Sequence, residues 1–114
     1  MDRNTVCDTL HPDCPIRNVL ARIGDKWALL VIFTLDRMPS ARFGALLRTL
    51  PDISQKMLTV TLRTLEEDGL VVRTVYPEIP PRVEYTLTEL GMSFMDVIDY
   101  MKTWGDHNLP DRTN

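Results

Sequence analysis

Cysteine is scarce in this sequence. There are two, Cys7 and Cys14, both close to the N-terminus. Two thiols cannot staple a secreted scaffold, so a disulfide-dense module is excluded and a reduced, cytoplasmic protein is expected. Long apolar runs are missing too: Ala28 to Phe33 falls far short of the ~20 residues that cross a bilayer. The opening M-D-R-N-T-V-C-D has no apolar core of the kind a secretory signal needs. Neither a membrane partner nor export is expected. The phosphate-cradling G-x-x-x-x-G-K-[ST], the dinucleotide G-x-G-x-x-G, the zinc-protease H-E-x-x-H and the hydrolase G-x-S-x-G are all absent. The two histidines, His11 and His107, lie near the termini, and the carboxylates are scattered. No acid–base constellation emerges, so the chain is not expected to be an enzyme or to carry a cofactor.

What is there is an ordinary globular composition: 114 residues, 44% apolar and 25% charged, with a net charge of −3. This fits a single domain spanning 1–114, without repeats or low-complexity segments. The charge is unevenly spread. Residues 37–63 carry Arg37, Arg42, Arg48, Lys56 and Arg63 against Asp52 alone, a local charge of +4. The remaining segments are acidic: −1 over residues 1–36, −3 over 64–87 and −3 over 88–114. A basic centre in an acidic chain suits a polyanion, although a solvated helix face accounts for it equally well.

The punctuation gives the elements. Pro15 suits the first position of a helix, with Ile16, Val19, Leu20 and Ile23 at helical spacing and Gly24 as the stop. Asp25 can cap a second helix, apolar on most sides (Trp27, Leu30, Val31, Phe33, Leu35) and so expected in the core. Met38-Pro39-Ser40 breaks it, and a short third helix runs from about Arg42 to Leu50, ended by Pro51. Ser54 is a good N-cap for a fourth helix reaching Asp68, with Gly69 beyond it. The β-branched runs Leu70–Tyr76 and Arg82–Leu87 flank Pro77-Glu78-Ile79-Pro80-Pro81 and read as a hairpin with a proline-stiffened tip. Thr88 can cap a last helix striped by Leu90, Phe94, Val97, Ile98, Met101 and Trp104. The order, mainly α with a small β-hairpin, supplies the parts of a winged helix-turn-helix. An unrelated α+β packing of the same parts stays open.

On the fourth helix Leu58, Leu62 and Leu65 share one narrow sector that must face the core. Lys56, Val60, Arg63 and Glu67 lie opposite, Thr59 flanks them, and Ser54 and Gln55 project from the N-terminal end. Arg and Lys donate to guanine, Gln pairs with adenine and a threonine methyl meets thymine, while the helix N-terminus favours phosphate. Glu66, Glu67 and Asp68 fall in the last turn, away from a duplex in the usual docking. In the hairpin, Arg73 and Arg82 can reach a minor groove or phosphates, or else pair with Glu84.

Three segments carry a resemblance: C-P-I-R-N-V-L-A-R-I-G-D-K-W-A-L-L-V-I, I-S-Q-K-M-L-T-V-T-L-R-T-L-E-E-D-G-L-V and Y-P-E-I-P-P-R-V-E-Y-T-L-T-E-L-G. Together they resemble the HxlR family of bacterial transcription regulators from about Cys14 to Gly105. Gly44-Ala45 departs from the Ser-Glu that relatives often carry after Arg-Phe. The resemblance implies a winged helix-turn-helix homodimer on an operator. Its recognition helix would be about 54–68 (DNA contacts Ser54, Gln55, Lys56, Thr59, Val60 and Arg63, with Arg42 from the supporting helix). Its wing would be about 71–87 (Arg73, Arg82), and its first helix and last helix (about 88–105) would dimerise. Independently, a modest core leaves the stripe of Phe94, Ile98, Met101 and Trp104, with Ile16, Val19 and Leu20 of the first helix, seeking cover. A two-fold dimer places paired helices on half-sites ~34 Å apart, hence a pseudo-palindromic double-stranded operator.

Cys14 directly precedes Pro15, where unpaired N–H groups and the helix dipole favour thiolate, with Asp13 opposing and Arg17 assisting. An oxidant or electrophile sensor at Cys14 is one expectation, and a buried, unreactive thiol is the alternative. The resemblance implies sensing as well, since some members use the matching cysteine. Some pair it with a later cysteine of the other subunit, which this sequence lacks, so any disulfide must use Cys7 and Cys14 of the N-terminal arm, 1–14. Cys7, His11 and Cys14 also suggest a metal-responsive regulator, but three ligands leave a structural zinc site one short, and no metal is expected. A winged-helix module for protein–protein contact is the other reading to be weighed against DNA.

Overall fold

The computed structural model describes residues 15–38 and 40–110. The N-terminal arm, with Cys7, His11 and Cys14, lies outside the described residues. Six helices and one hairpin follow in the order α1 (Pro15–Ile23), α2 (Lys26–Arg37), α3 (Phe43–Thr49), α4 (Gln55–Glu67), β1 (Val71–Tyr76), β2 (Arg82–Leu87), α5 (Glu89–Ser93) and α6 (Met95–Asn108).

The local chemistry explains the boundaries. The Asp25 carboxylate accepts from the Trp27 N–H at 3.1 Å and starts α2. The Ser54 hydroxyl accepts from the Met57 N–H at 3.0 Å and starts α4. At the end of α4, Gly69 takes φ +79°, so that its N–H reaches the Glu66 carbonyl and the Leu70 N–H the Leu65 carbonyl. That pair of bonds is a Schellman stop. Asp52 turns the chain between α3 and α4 with φ 72°, a left-handed conformation that aspartate tolerates better than most residues.

Helix α2 is the hub, packing on α1, α3, α4, α5, α6 and β2. Its Ala28, Val31, Ile32 and Leu35 are buried with Leu46 of α3, Leu58, Leu62 and Leu65 of α4, and Val71 of β1. Leu30 is exposed, so α2 is apolar on more sides than it buries. The strands pair antiparallel from Val71↔Leu87 to Tyr76↔Arg82. Ala41 adds a bridge to Tyr85, with N–H···O distances of 3.1 and 2.8 Å, and so ties the hairpin to the segment before α3. The result is a winged helix-turn-helix: α3 and α4 joined by a tight turn, flanked by a hairpin.

Two expectations need correction. The last helix is two helices, α5 and α6, meeting at Phe94, where the Phe94 N–H bonds the Gly91 carbonyl and the chain tightens. Part of the stripe faces inward: Ile98 is buried in its own chain's core and Phe94 is half-buried against it. Ile98 is thus spent on its own core, whereas Phe94 also lines an open apolar groove with Val19, Ile23, Leu70 and Leu90. Met101 and Trp104 stay exposed on α6, as do Ile16, Val19 and Leu20 on α1.

Candidate nucleic-acid interface

With Leu58, Leu62 and Leu65 anchored below, α4 presents Gln55, Lys56, Thr59, Val60 and Arg63 to solvent, and Ser54 is exposed at its N-terminal end. The Ser54 oxygen is occupied as a cap, and among the described residues its O–H donates to no other group. The Thr59 hydroxyl donates to the Gln55 carbonyl at 2.9 Å, so its methyl and lone pairs are what it offers outward. Arg42 is exposed at the N-cap of α3. Arg73, on β1, faces Arg63 and Thr59 across a groove of about 370 Å³ between α4 and the hairpin, whose walls also include Leu62, Glu66 and Tyr85. Among the described residues, Arg42, Lys56, Arg63 and Arg73 take part in no ion pair.

The acids at the end of α4 divide. Asp68 turns away to accept from Arg22 of α1 at 2.8 Å. Glu66 instead lines the groove beside Arg63 and Arg73, so the carboxylates are not all removed from that face.

Of the two readings of Arg82, the structure shows the ion pair with Glu84 and not the free cation. It bonds Glu78 through Nε and Nη2, both at 2.9 Å, bonds Glu84 through Nη1, and stacks over its cross-strand neighbour Tyr76 at 3.9 Å. Glu84 lies on the same strand as Arg82 and accepts a second bond from the Ser40 hydroxyl. That bond holds the Glu84 carboxyl below the usual range against the opposing effect of desolvation, with help from Arg82 and the field of Arg42. Desolvation pulls the Arg82 pKa down, and its bonds to Glu78 and Glu84 outweigh this and raise it. Ser40 is a functional neighbour that sequence reasoning missed, since nothing local links it to a strand 44 residues away.

Among the described residues no cluster of His, Cys, Asp and Glu could hold a metal ion, and no helix is long and apolar enough to cross a membrane.

A helix that exposes Lys56, Arg63, Gln55 and Thr59 behind a tight turn, beside a hairpin, defines the class: a DNA-binding winged helix-turn-helix. The HxlR-like helix-turn-helix family model matches residues 22–113, and the chain belongs to that family. It is a transcriptional regulator, and neither its family nor its relatives are enzymes. An HTH-type transcriptional regulator of Methanothermobacter thermautotrophicus is 48% identical over 92 residues, covering 81% of this chain and 70% of the relative. The solved structure of the redox regulator HypR in its oxidized form superposes with a TM-score of 0.78 at 41% identity, covering 86% of this chain and 100% of that one. The reduced form of the transcriptional regulator YodB from B. subtilis gives 0.74 at 38% identity, covering 84% and 94%.

Proposed function

We propose that the protein binds a pseudo-palindromic operator as a homodimer, with α4 as recognition helix in the major groove and the hairpin as wing on the flanking backbone. The supporting observation is the α4 surface: Lys56 and Arg63, unpaired among the described residues, stand exposed with Gln55 and Thr59 above a buried leucine row. Side chains of this kind read base edges, and the Ser54 hydroxyl and helix N-terminus suit a phosphate. Arg42 and Arg73 extend the cationic surface to either side. Ile16, Val19 and Leu20 of α1, with Met101 and Trp104 of α6, supply the apolar surface for the second copy. A cytoplasmic location accompanies this reading. The test is fluorescence anisotropy on the DNA upstream of the protein's own gene. Lys56→Ala and Arg63→Ala each weaken binding by ~1–3 kcal/mol and lower the salt dependence. Wild-type affinity in both variants would overturn the assignment and favour a protein-contact module.

The regulation is proposed to be by oxidant or electrophile at Cys14. Two observations favour this: the likeness to HypR, a redox regulator by name, and the position of Cys14 immediately before Pro15, the first residue of α1. Treatment with diamide is expected to shift the protein on a non-reducing gel or to alter its DNA affinity, and Cys14→Ser to abolish the effect. An unchanged response in Cys14→Ser would end the thiol reading. A response to zinc, reversed by chelator, would point instead to Cys7, His11 and Cys14 as metal ligands.

A further inference from the structure

The hairpin carries two arginines with opposite circumstances. Arg73 is exposed and has no ion-pair partner among the described residues, whereas Arg82 is gripped from three sides. One carboxylate that grips it, Glu78, is exposed at the hairpin tip, and an exposed pair of this kind is readily competed away. Glu84 is different. Its side chain is 16% exposed, it is anchored by the Ser40 hydroxyl, and it sits beside the Ala41–Tyr85 bridge that fixes the hairpin to the segment leading into α3. Moving Arg82 towards a phosphate would leave this partly buried carboxylate without its cation, which is costly. Arg82, Glu78 and Glu84 together carry a charge of −1, so the assembled cluster is no attraction to DNA.

We propose that Glu84 is a specificity-determining positioning residue: held by Ser40, it keeps Arg82 off the DNA backbone, so that Arg73 is the hairpin's phosphate-directed cation. This rests on the reading of α4 and the hairpin as the DNA face. The physical benefit lies in discrimination. A free arginine on a hairpin adds affinity for any duplex, because phosphate contacts carry no sequence information. Restraining it lowers binding to wrong sequences more than it lowers base readout.

The experiment is a salt titration of binding to a scrambled duplex about 30 base pairs long, roughly three helical turns. It uses the full chain and its Glu84→Gln, Arg82→Ala, Glu84→Gln/Arg82→Ala, Lys56→Ala and Arg73→Ala variants, each checked for folding by thermal melting. Glu84→Gln is expected to steepen the log–log salt slope by about 0.9, so that a fourfold rise in salt costs it roughly 3.5-fold more affinity than wild type. Arg82→Ala alone leaves the slope unchanged, and the double variant returns it to the wild-type value. A shallower slope in Arg82→Ala, an unchanged slope in Glu84→Gln, or a gain that survives in the double variant would each overturn the proposal. Should Glu84→Gln fail to fold, Arg82→Ala in the otherwise native chain still decides. Lys56→Ala and Arg73→Ala separate the two readings. Loss of slope in these supports the DNA face whatever Glu84 does, and no loss in either sinks the DNA face itself.

Discussion

Three threonines on α4 meet two fates. The hydroxyls of Thr59 and Thr64 donate to the carbonyls one turn back, at 2.9 and 3.0 Å. The Thr61 hydroxyl is buried and, among the described residues, has no hydrogen-bond partner. An unsatisfied buried hydroxyl loses its water bonds with no return. Thr61→Val keeps the shape and removes the burden, and is expected to stabilise the fold by about 1 kcal/mol in thermal or chemical unfolding. A destabilised Thr61→Val would show that the hydroxyl has a partner in solution. At this scale the sequence was readable where the signal is local. The leucine row and the Ser54 cap follow from spacing alone, and both appear as expected. The pairing of Arg82 with Glu84 was one of the two readings the hairpin offered, but the Ser40 anchor was not readable, because Ser40 reaches Glu84 only once α2, α3 and the hairpin have packed.

Elements were legible where glycine, proline or a capping side chain punctuates the chain. The starts of α1, α2 and α4 and the two strands lie where those residues put them. The α5–α6 junction has no proline or capping side chain to mark it, and Gly91, set inside the apolar stripe, reads as a tolerated helix glycine. Gly91 shows what packing demands there. The Leu70 carbonyl, already accepting from the Thr88 N–H at 3.0 Å, would lie 2.2 Å from a Cβ at position 91. The Thr88 hydroxyl meanwhile donates to the Gly69 carbonyl at 2.6 Å and accepts from the Gly91 N–H at 3.0 Å. The hairpin base, the end of α4 and the start of α5 therefore meet at one close approach. Gly91→Ala must push these apart and is expected to cost about 1–3 kcal/mol in chemical denaturation. A variant as stable as wild type would mean that the junction yields easily.

For the whole molecule, the question is what covers the apolar residues that the fold leaves outside. Trp104 is 53% exposed and Leu20 62% exposed, on the last and first helices. Neither contributes much to its own chain's core, so Trp104→Ala should leave the melting temperature of the isolated chain nearly unchanged. As an aromatic anchor in a dimer it should weaken self-association by about 2 kcal/mol, read by sedimentation or size exclusion across a dilution series. Unaltered self-association would place the contact elsewhere. The sequence indicated an apolar stripe on the last helix but not how it divides. The break at Phe94 separates Leu90 from the rest, and the rotation of about 60° per three residues along α6 then carries the stripe from buried Ile98 to exposed Met101 and Trp104.

The uneven placement of charge around α4 also governs how the molecule arrives. A body that is acidic as a whole, with cations gathered on one flank, is a magnet with two poles in the field of a polyelectrolyte. The polymer that draws the cationic flank repels the remainder, so the protein is turned before it touches. On the proposed reading of α4, collisions made backwards are short-lived, and the search along a chromosome is spent with the reading edge already lowered.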